Sequence, residues 1–203
     1  MAEAVLEIER KFKITAPEAL HVVEYLRGHD FKLSEDCQMS DIFLPTGADS
    51  QQLLRIRSVS VRSDEDGKNP AKVLTYKTWI KTDDGGKERQ EREEAIGDLA
   101  AECLVKVGRL AKDGEELPSY QKERKTYSGQ CNGYSVNVSL DEVSGLGEFN
   151  GFYMEVEIII TDNAGINAAR EQVYALAHEI LGDKRGHHEL TYLEMLTKAQ
   201  ELY

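Results

Sequence analysis

VLEIERKFKI, residues 5–14, is the stretch on which the fold turns. With a period of two, Leu6, Ile8 and Phe12 fall on one side of an extended chain, and Glu7, Glu9, Lys11 and Lys13 on the other. In an ordinary half-buried strand the charged side faces water. Here the inverted pattern recurs too often for that reading. Arg55 and Arg57 in LLRIR, Arg89, Glu91 and Glu93, Lys122 and Arg124, and Glu155 and Glu157 stand at i, i+2, and Lys77 and Lys81 around Trp79 at i, i+4 on the same side. Each strand projects its charges one way, while Leu54, Ile56, Tyr76, Val156 and Ile158 point the other. A sheet closed on itself, with helices over its apolar outside, turns the charged faces into a wet interior. That interior would hold Lys11, Arg55, Arg57, Lys77, Arg89, Lys122 and Arg124 together with Glu7, Glu9, Asp141, Glu155 and Glu157. Such crowding of like charge is costly alone and suits a polyphosphate plus a hard cation held by carboxylate oxygens.

Working outward, alternation predicts strands at 5–14, 38–44, 53–62, 72–82, 88–96, 119–128, 133–141 and 152–161. Thr15 with Pro17 starts a helix that ends near Gly28. A second helix spans about 99–111, with Leu99, Cys103, Val107 and Leu110 as its apolar face and Gly114 beyond its end. Asp162 or Asn163 opens a third, closed by Gly182, and 189–202 forms a fourth, striped by Leu190, Leu193, Leu196 and Leu202. Loops fall at 63–70 and 83–87, and Asn132-Gly133 marks a tight primed turn. The fold class is therefore α+β: a closed, eight-stranded antiparallel β-barrel with helices packed outside, in one domain over 1–203.

Composition narrows the function. Lys and Arg number 25 against 37 Asp and Glu, a net charge of −12, which argues against a general nucleic-acid or anionic-membrane surface. An anionic ligand must meet a local basic pocket. No run approaches the length of a membrane span and no signal-peptide core is visible, so a soluble, cytoplasmic chain is expected. Cys37, Cys103 and Cys131 lack disulfide or metal spacing and read as reduced thiols. His187-His188 reads as a polar loop, and the acceptor pattern at Asn137-Val138-Ser139 falls within a strand. There is neither GxxxxGK(S/T) nor GxGxxG, so phosphate must be held by side chains.

These residues resemble the CYTH superfamily, the triphosphate tunnel enzymes that include class IV adenylyl cyclases, thiamine triphosphatases and inorganic tripolyphosphatases. The opening ExExK is Glu7, Glu9, Lys11. In order follow Ser40-Asp41-Ile42-Phe43, LLRIR, Thr75-Tyr76-Lys77, Arg89-Gln90-Glu91-Arg92-Glu93, Lys122-Glu123-Arg124, LDEVSGLGEF with MEVE, and Thr191-Tyr192-Leu193-Glu194. The likeness covers nearly the whole chain. A small insertion at 150–152 and a long 63–70 loop depart from it.

The resemblance implies metal-dependent cleavage of a phosphoanhydride. Glu7, Glu9 and Glu155, then Asp141 and Glu157, would hold Mg²⁺ or Mn²⁺. Lys11, Arg55, Arg57, Lys77, Lys122 and Arg124 would bind the phosphates, and Glu7, Glu9, Lys11, Lys77, Arg89, Glu91 and Tyr192 are the catalytic candidates. The substrate would be ATP, thiamine triphosphate or tripolyphosphate. LDEVSGLGEF narrowly favours ATP cyclisation over triphosphate hydrolysis, and a non-catalytic polyphosphate-binding module is the third reading. No nucleic-acid or membrane partner is expected, and a homodimer is left open.

Overall fold

The computed structural model describes residues 6–46, 52–62, 70–81, 87–160 and 165–201. Eight strands, β1 (Leu6–Ile14), β2 (Lys32–Leu44), β3 (Gln52–Val61), β4 (Ala71–Lys81), β5 (Lys87–Ile96), β6 (Ser119–Cys131), β7 (Tyr134–Ser144) and β8 (Gly151–Ile160), form a barrel in the ring order β1-β5-β4-β3-β2-β6-β7-β8. All neighbours are antiparallel, as expected. The closure is uneven: β1 pairs with β8 along its whole length but meets β5 only at Leu6↔Gln90 and Glu7↔Arg89. Beyond that short seam the C-terminal segment reaches β1, the His188 amide donating to the Lys11 carbonyl at 2.5 Å.

Strands β2, β6 and β7 run longer than alternation predicts. In β2 the polar start, Lys32 to Asp36, hides the strand, and a register shift between Leu33 and Glu35 breaks its period. The Asn132-Gly133 turn is as expected, with φ of 48° and 83°, and joins Cys131↔Tyr134. The 63–69 and 82–86 loops, a third-helix start at Asp162 or Asn163, and Leu202 lie outside the described residues.

Outward-facing side chains bury against helices. Ile8, Phe12, Val136, Val138, Met154, Val156 and Ile158 pack with α1 (Ala16–Gly28) and α3 (Ile166–Leu181) into the main core. Thr15 and Glu18 cap α1 reciprocally, the Thr15 amide donating to Glu18 Oε2 at 2.7 Å. A smaller core joins Leu44, Ile56 and Leu117 to α2 (Asp98–Leu110) through Ala101, Leu104 and Val105. The stripe Leu99, Cys103, Val107 and Leu110, expected to be this helix's packed face, is instead exposed. Helix α2 sits on the sheet through its smaller side chains because Gly108 allows close approach: a Cβ there would lie 3.0 Å from Leu117 Cδ1.

The last helix behaves differently. Thr191 caps α4 (Tyr192–Glu201) with Glu194 in a capping box, the Thr191 amide donating to Glu194 Oε2 at 2.7 Å and the Glu194 amide to Thr191 Oγ1 at 3.2 Å. Met195 and Leu196 pack with Phe43, Tyr120, Val143 and Tyr153, whose strand parity is that of the inward-facing charges, so α4 fills one part of the barrel's interior. A 3₁₀ turn, Gly147–Phe149, seats it: Leu146 is fully buried there, and Gly147 lies against Ala199.

Leu146→Ala removes a fully buried side chain from this seat and is expected to destabilise the protein by roughly 2–4 kcal/mol. Chemical denaturation monitored by circular dichroism checks the value.

Candidate active site

Charged side chains of six strands face one cavity of about 440 Å³. Its wall takes Glu7 and Glu9 from β1, Arg55 and Arg57 from β3, Lys77 from β4, Glu91 and Glu93 from β5, Lys122 and Arg124 from β6, Glu155 and Glu157 from β8, and Tyr192 from α4. Cross-strand register explains the gathering: Glu9 pairs with Glu157, Lys11 with Glu155, Lys77 with Glu91 and Arg124 with Asp141.

Two buried aspartates organise the cations. Asp41, 1% exposed, accepts from Arg57 Nε at 2.7 Å and Nη2 at 2.8 Å, from Arg55 Nη1 at 3.3 Å, and from the Tyr120 hydroxyl at 2.7 Å. Asp141, also 1% exposed, accepts from Lys122 at 2.8 Å, from Arg124 Nε and Nη2 at 2.6 Å each, and from the Tyr192 hydroxyl at 2.9 Å. Burial alone would raise both carboxyl groups. The Arg57 hydrogen bond with the charges of Arg55 and Arg57 at Asp41, and the charges of Arg124 and Lys122 at Asp141, hold them well below the usual carboxylate range. Burial and the adjacent aspartates push the Tyr120 and Tyr192 phenols up, keeping them protonated donors. Burial, then the neighbouring Arg124, pulls Lys122 down to about 8.

The acidic side is different in kind. Glu7, Glu9 and Glu157 each offer an oxygen, all within 4.8 Å of one another. Burial, then the charges of Glu7 and Glu9, push Glu157 up to about 8. A cluster of hard oxygen donors that resists full ionisation fits a divalent cation, which would remove that repulsion. Of the other acidic candidates, Glu155 is ion-paired with Arg124, Glu91 bridges Lys77 and Arg55, and Asp141 is turned to the Lys122–Arg124 pair. Lys77 also lies 3.7 Å from Glu7. Lys11 sits over the Tyr192 ring, 4.0 Å from its centroid, with Lys122 at 5.2 Å from the same ring. The Arg89 backbone pairs with Glu7, and its side chain lies outside the described residues.

Asp41, Tyr120, Thr75 and Glu93 belong to the same network and extend the site beyond the residues the sequence assigns to it. Thr75 Oγ1 donates to Glu93 at 2.8 Å and accepts from Arg55 Nη2 at 3.3 Å. Parity carried a signal for Tyr120, two residues before Lys122, and for Asp41, opposite Arg57 in the register. His187 does not join the cluster; its Nδ1 bonds the Tyr174 hydroxyl at 2.6 Å.

The family model described as the CYTH domain matches residues 6–192. No curated protein matches the chain. Among solved structures, a conserved hypothetical protein from Pyrococcus furiosus is 25% identical with a TM-score of 0.66, over 93% of this chain and 99% of that one. A candidate adenylate cyclase from Vibrio parahaemolyticus is 20% identical with a TM-score of 0.65, over 95% and 98%. A candidate adenylyl cyclase from Hippeastrum, described as revealing a dominant triphosphatase activity, is 16% identical with a TM-score of 0.58, over 96% and 95%.

The Glu157 shift fixes the sign of a pH dependence. A carboxyl moved from its ordinary 4.5 to about 8 binds more proton in the folded state than in the unfolded state between those values. Through this group stability falls as pH rises from about 4.5 to about 8. Without added metal, Glu157→Gln is therefore expected to gain on the wild type across that window, by roughly 3–5 kcal/mol at its upper end. Paired denaturation curves at acid and alkaline ends of the window measure the gain.

Proposed function

This chain belongs to the CYTH family of triphosphate-acting enzymes, and from that premise we infer that it cleaves a phosphoanhydride bond of a triphosphate with Mg²⁺ or Mn²⁺ at Glu7, Glu9 and Glu157. The observation that carries this reading is the facing of three mutually repelling carboxylates and five cations, Arg55, Arg57, Lys77, Lys122 and Arg124, across one cavity. When bound, the divalent cation withdraws charge from phosphate oxygens. The protein's own work is positioning. Arg57 and Arg124, each gripped through two nitrogens by an aspartate, keep their guanidinium planes fixed before substrate arrives. Lys122 is buried, so its charge acts at low dielectric and is strengthened by a polyanion. The Tyr192 hydroxyl orients Asp141 and its ring supports Lys11.

Hydrolysis is the outcome this apparatus supports most directly. It asks for charge neutralisation and a water, whereas cyclisation also asks for a pocket that holds base and ribose and presents the 3′-oxygen to the α-phosphorus. The LDEVSGLGEF segment, whose likeness leans toward cyclisation, forms the end of β7 and the 3₁₀ turn under α4; it bears on how the interior is filled, not on which oxygen attacks. One observation keeps ATP cyclisation as the second reading. Phe43, Leu53 and Leu193 add apolar surface to the cavity beside Gln52, which an organic triphosphate could use and inorganic tripolyphosphate could not.

Purified protein with Mg²⁺ or Mn²⁺ and ATP, thiamine triphosphate or tripolyphosphate is expected to yield orthophosphate, with cyclic nucleotide and pyrophosphate marking the second reading. Glu9→Gln is expected to lower the rate by at least about 10²-fold with the fold intact. Arg57→Ala and Lys122→Ala should each cost roughly 1.5–3 kcal/mol of triphosphate affinity. Full activity of Glu9→Gln across a metal titration would remove the carboxylates from the reaction.

A further inference from the structure

Helix α2 is apolar on two opposite sides. Toward the barrel it presents Ala101 and Gly108, both buried, with Leu104 and Val105 packed on the Leu44–Ile56–Leu117 cluster. Away from the barrel run Leu99, Cys103, Val107 and Leu110; Leu99 is 75%, Val107 63% and Leu110 77% exposed, and Cys103 is exposed. Seven large apolar side chains are exposed among the described residues, and three of them lie on this one stripe. Scattered exposure needs no explanation, whereas a contiguous stripe on a regular helix is an interaction surface.

We propose that the stripe joins two copies of this chain, α2 packing on α2 in the antiparallel sense about a twofold axis. The steps of four, four and three residues from Leu99 to Leu110 keep the stripe straight along the helix, as a pairing seam requires. One flank carries the small side chains of Ala100 and Ala111, which allow close approach. The other carries Glu102 and Lys106, both exposed. With the axis near the helix midpoint, between residues 104 and 105, Leu99 meets the partner's Leu110, and Glu102 lies beside the partner's Lys106. The twofold makes each of these contacts twice. Parallel pairing would turn the Glu102–Lys106 flank toward the partner's Ala100–Ala111 flank and leave these charges without opposite charges across the seam, so the charges select the antiparallel sense. The covered area, on the order of 1,000 Å² in total, stands at the lower limit for a specific interface. With a charge of −12 on each copy opposing approach, the dimer is reversible and forms in the micromolar range.

Sedimentation velocity from low to high micromolar concentration tests this on the full chain. The wild type is expected to pass from monomer to dimer, and Val107→Glu to stay monomeric with an unchanged far-UV spectrum. Glu102→Lys and Lys106→Glu are each expected to weaken association several-fold, and the two together in one chain to restore it, because the swap re-forms both pairs. A wild type that stays monomeric throughout overturns the proposal. So does a dimer indifferent to Val107→Glu, and a double swap no better than its parents overturns the antiparallel register. None of these residues lines the tunnel, so the outcome stands apart from the reaction assigned to it.

Discussion

Charge enclosed by a curled sheet is the constraint from which the rest of this structure follows. Five cations and several carboxylates are drawn out of bulk water, and each must find a partner or lose its charge. Asp41 and Asp141 meet that requirement for four of the cations: Arg55 and Arg57 at one, Lys122 and Arg124 at the other. The two sites share a plan, a carboxylate with almost no exposure, two cations and a tyrosine hydroxyl. Such pairs are weak contributors to net stability because desolvation offsets most of the attraction. Their value here is geometric, since they hold the donors where a polyanion can use them.

The carboxylates of Glu7, Glu9 and Glu157 converge on one another, and the repulsion appears as a raised Glu157. An interior that is settled on its basic side and strained on its acidic side has a built-in demand for cation and polyanion together. Helix α4 ties the two halves of the architecture. Its apolar residues fill part of the barrel, and Tyr192, at its first turn, reaches Asp141 and lies under Lys11. The terminal Thr-Tyr-Leu-Glu thus works first as a helix cap, which aims the tyrosine at the site.

Much of this was legible in the sequence because alternation in a strand is strict. The i, i+2 charges could face one way only, and the apolar alternates needed cover, so a helix-clad barrel with a charged interior was readable from β1, β3, β6 and β8. Alternation does not say which strands become neighbours. Register across β6–β7 therefore turned Asp141 to Lys122 and Arg124, and register across β1–β8 put Glu157, not Glu155, with Glu7 and Glu9. The stripe on α2 misled for a physical reason: the helix has two apolar sides, and close packing at Gly108 selected the one with smaller residues. The start of β2 was hidden by polar residues and a register shift.

Thermal shifts with orthophosphate, pyrophosphate, tripolyphosphate, ATP and duplex DNA, with and without Mg²⁺, test the central claim most directly, because a chain of net charge −12 can hold a polyanion only inside. A stabilisation that peaks at three linked phosphates and grows with Mg²⁺ is the predicted result. Equal stabilisation by orthophosphate or by duplex DNA, which is too wide for the interior of a small barrel, would contradict it.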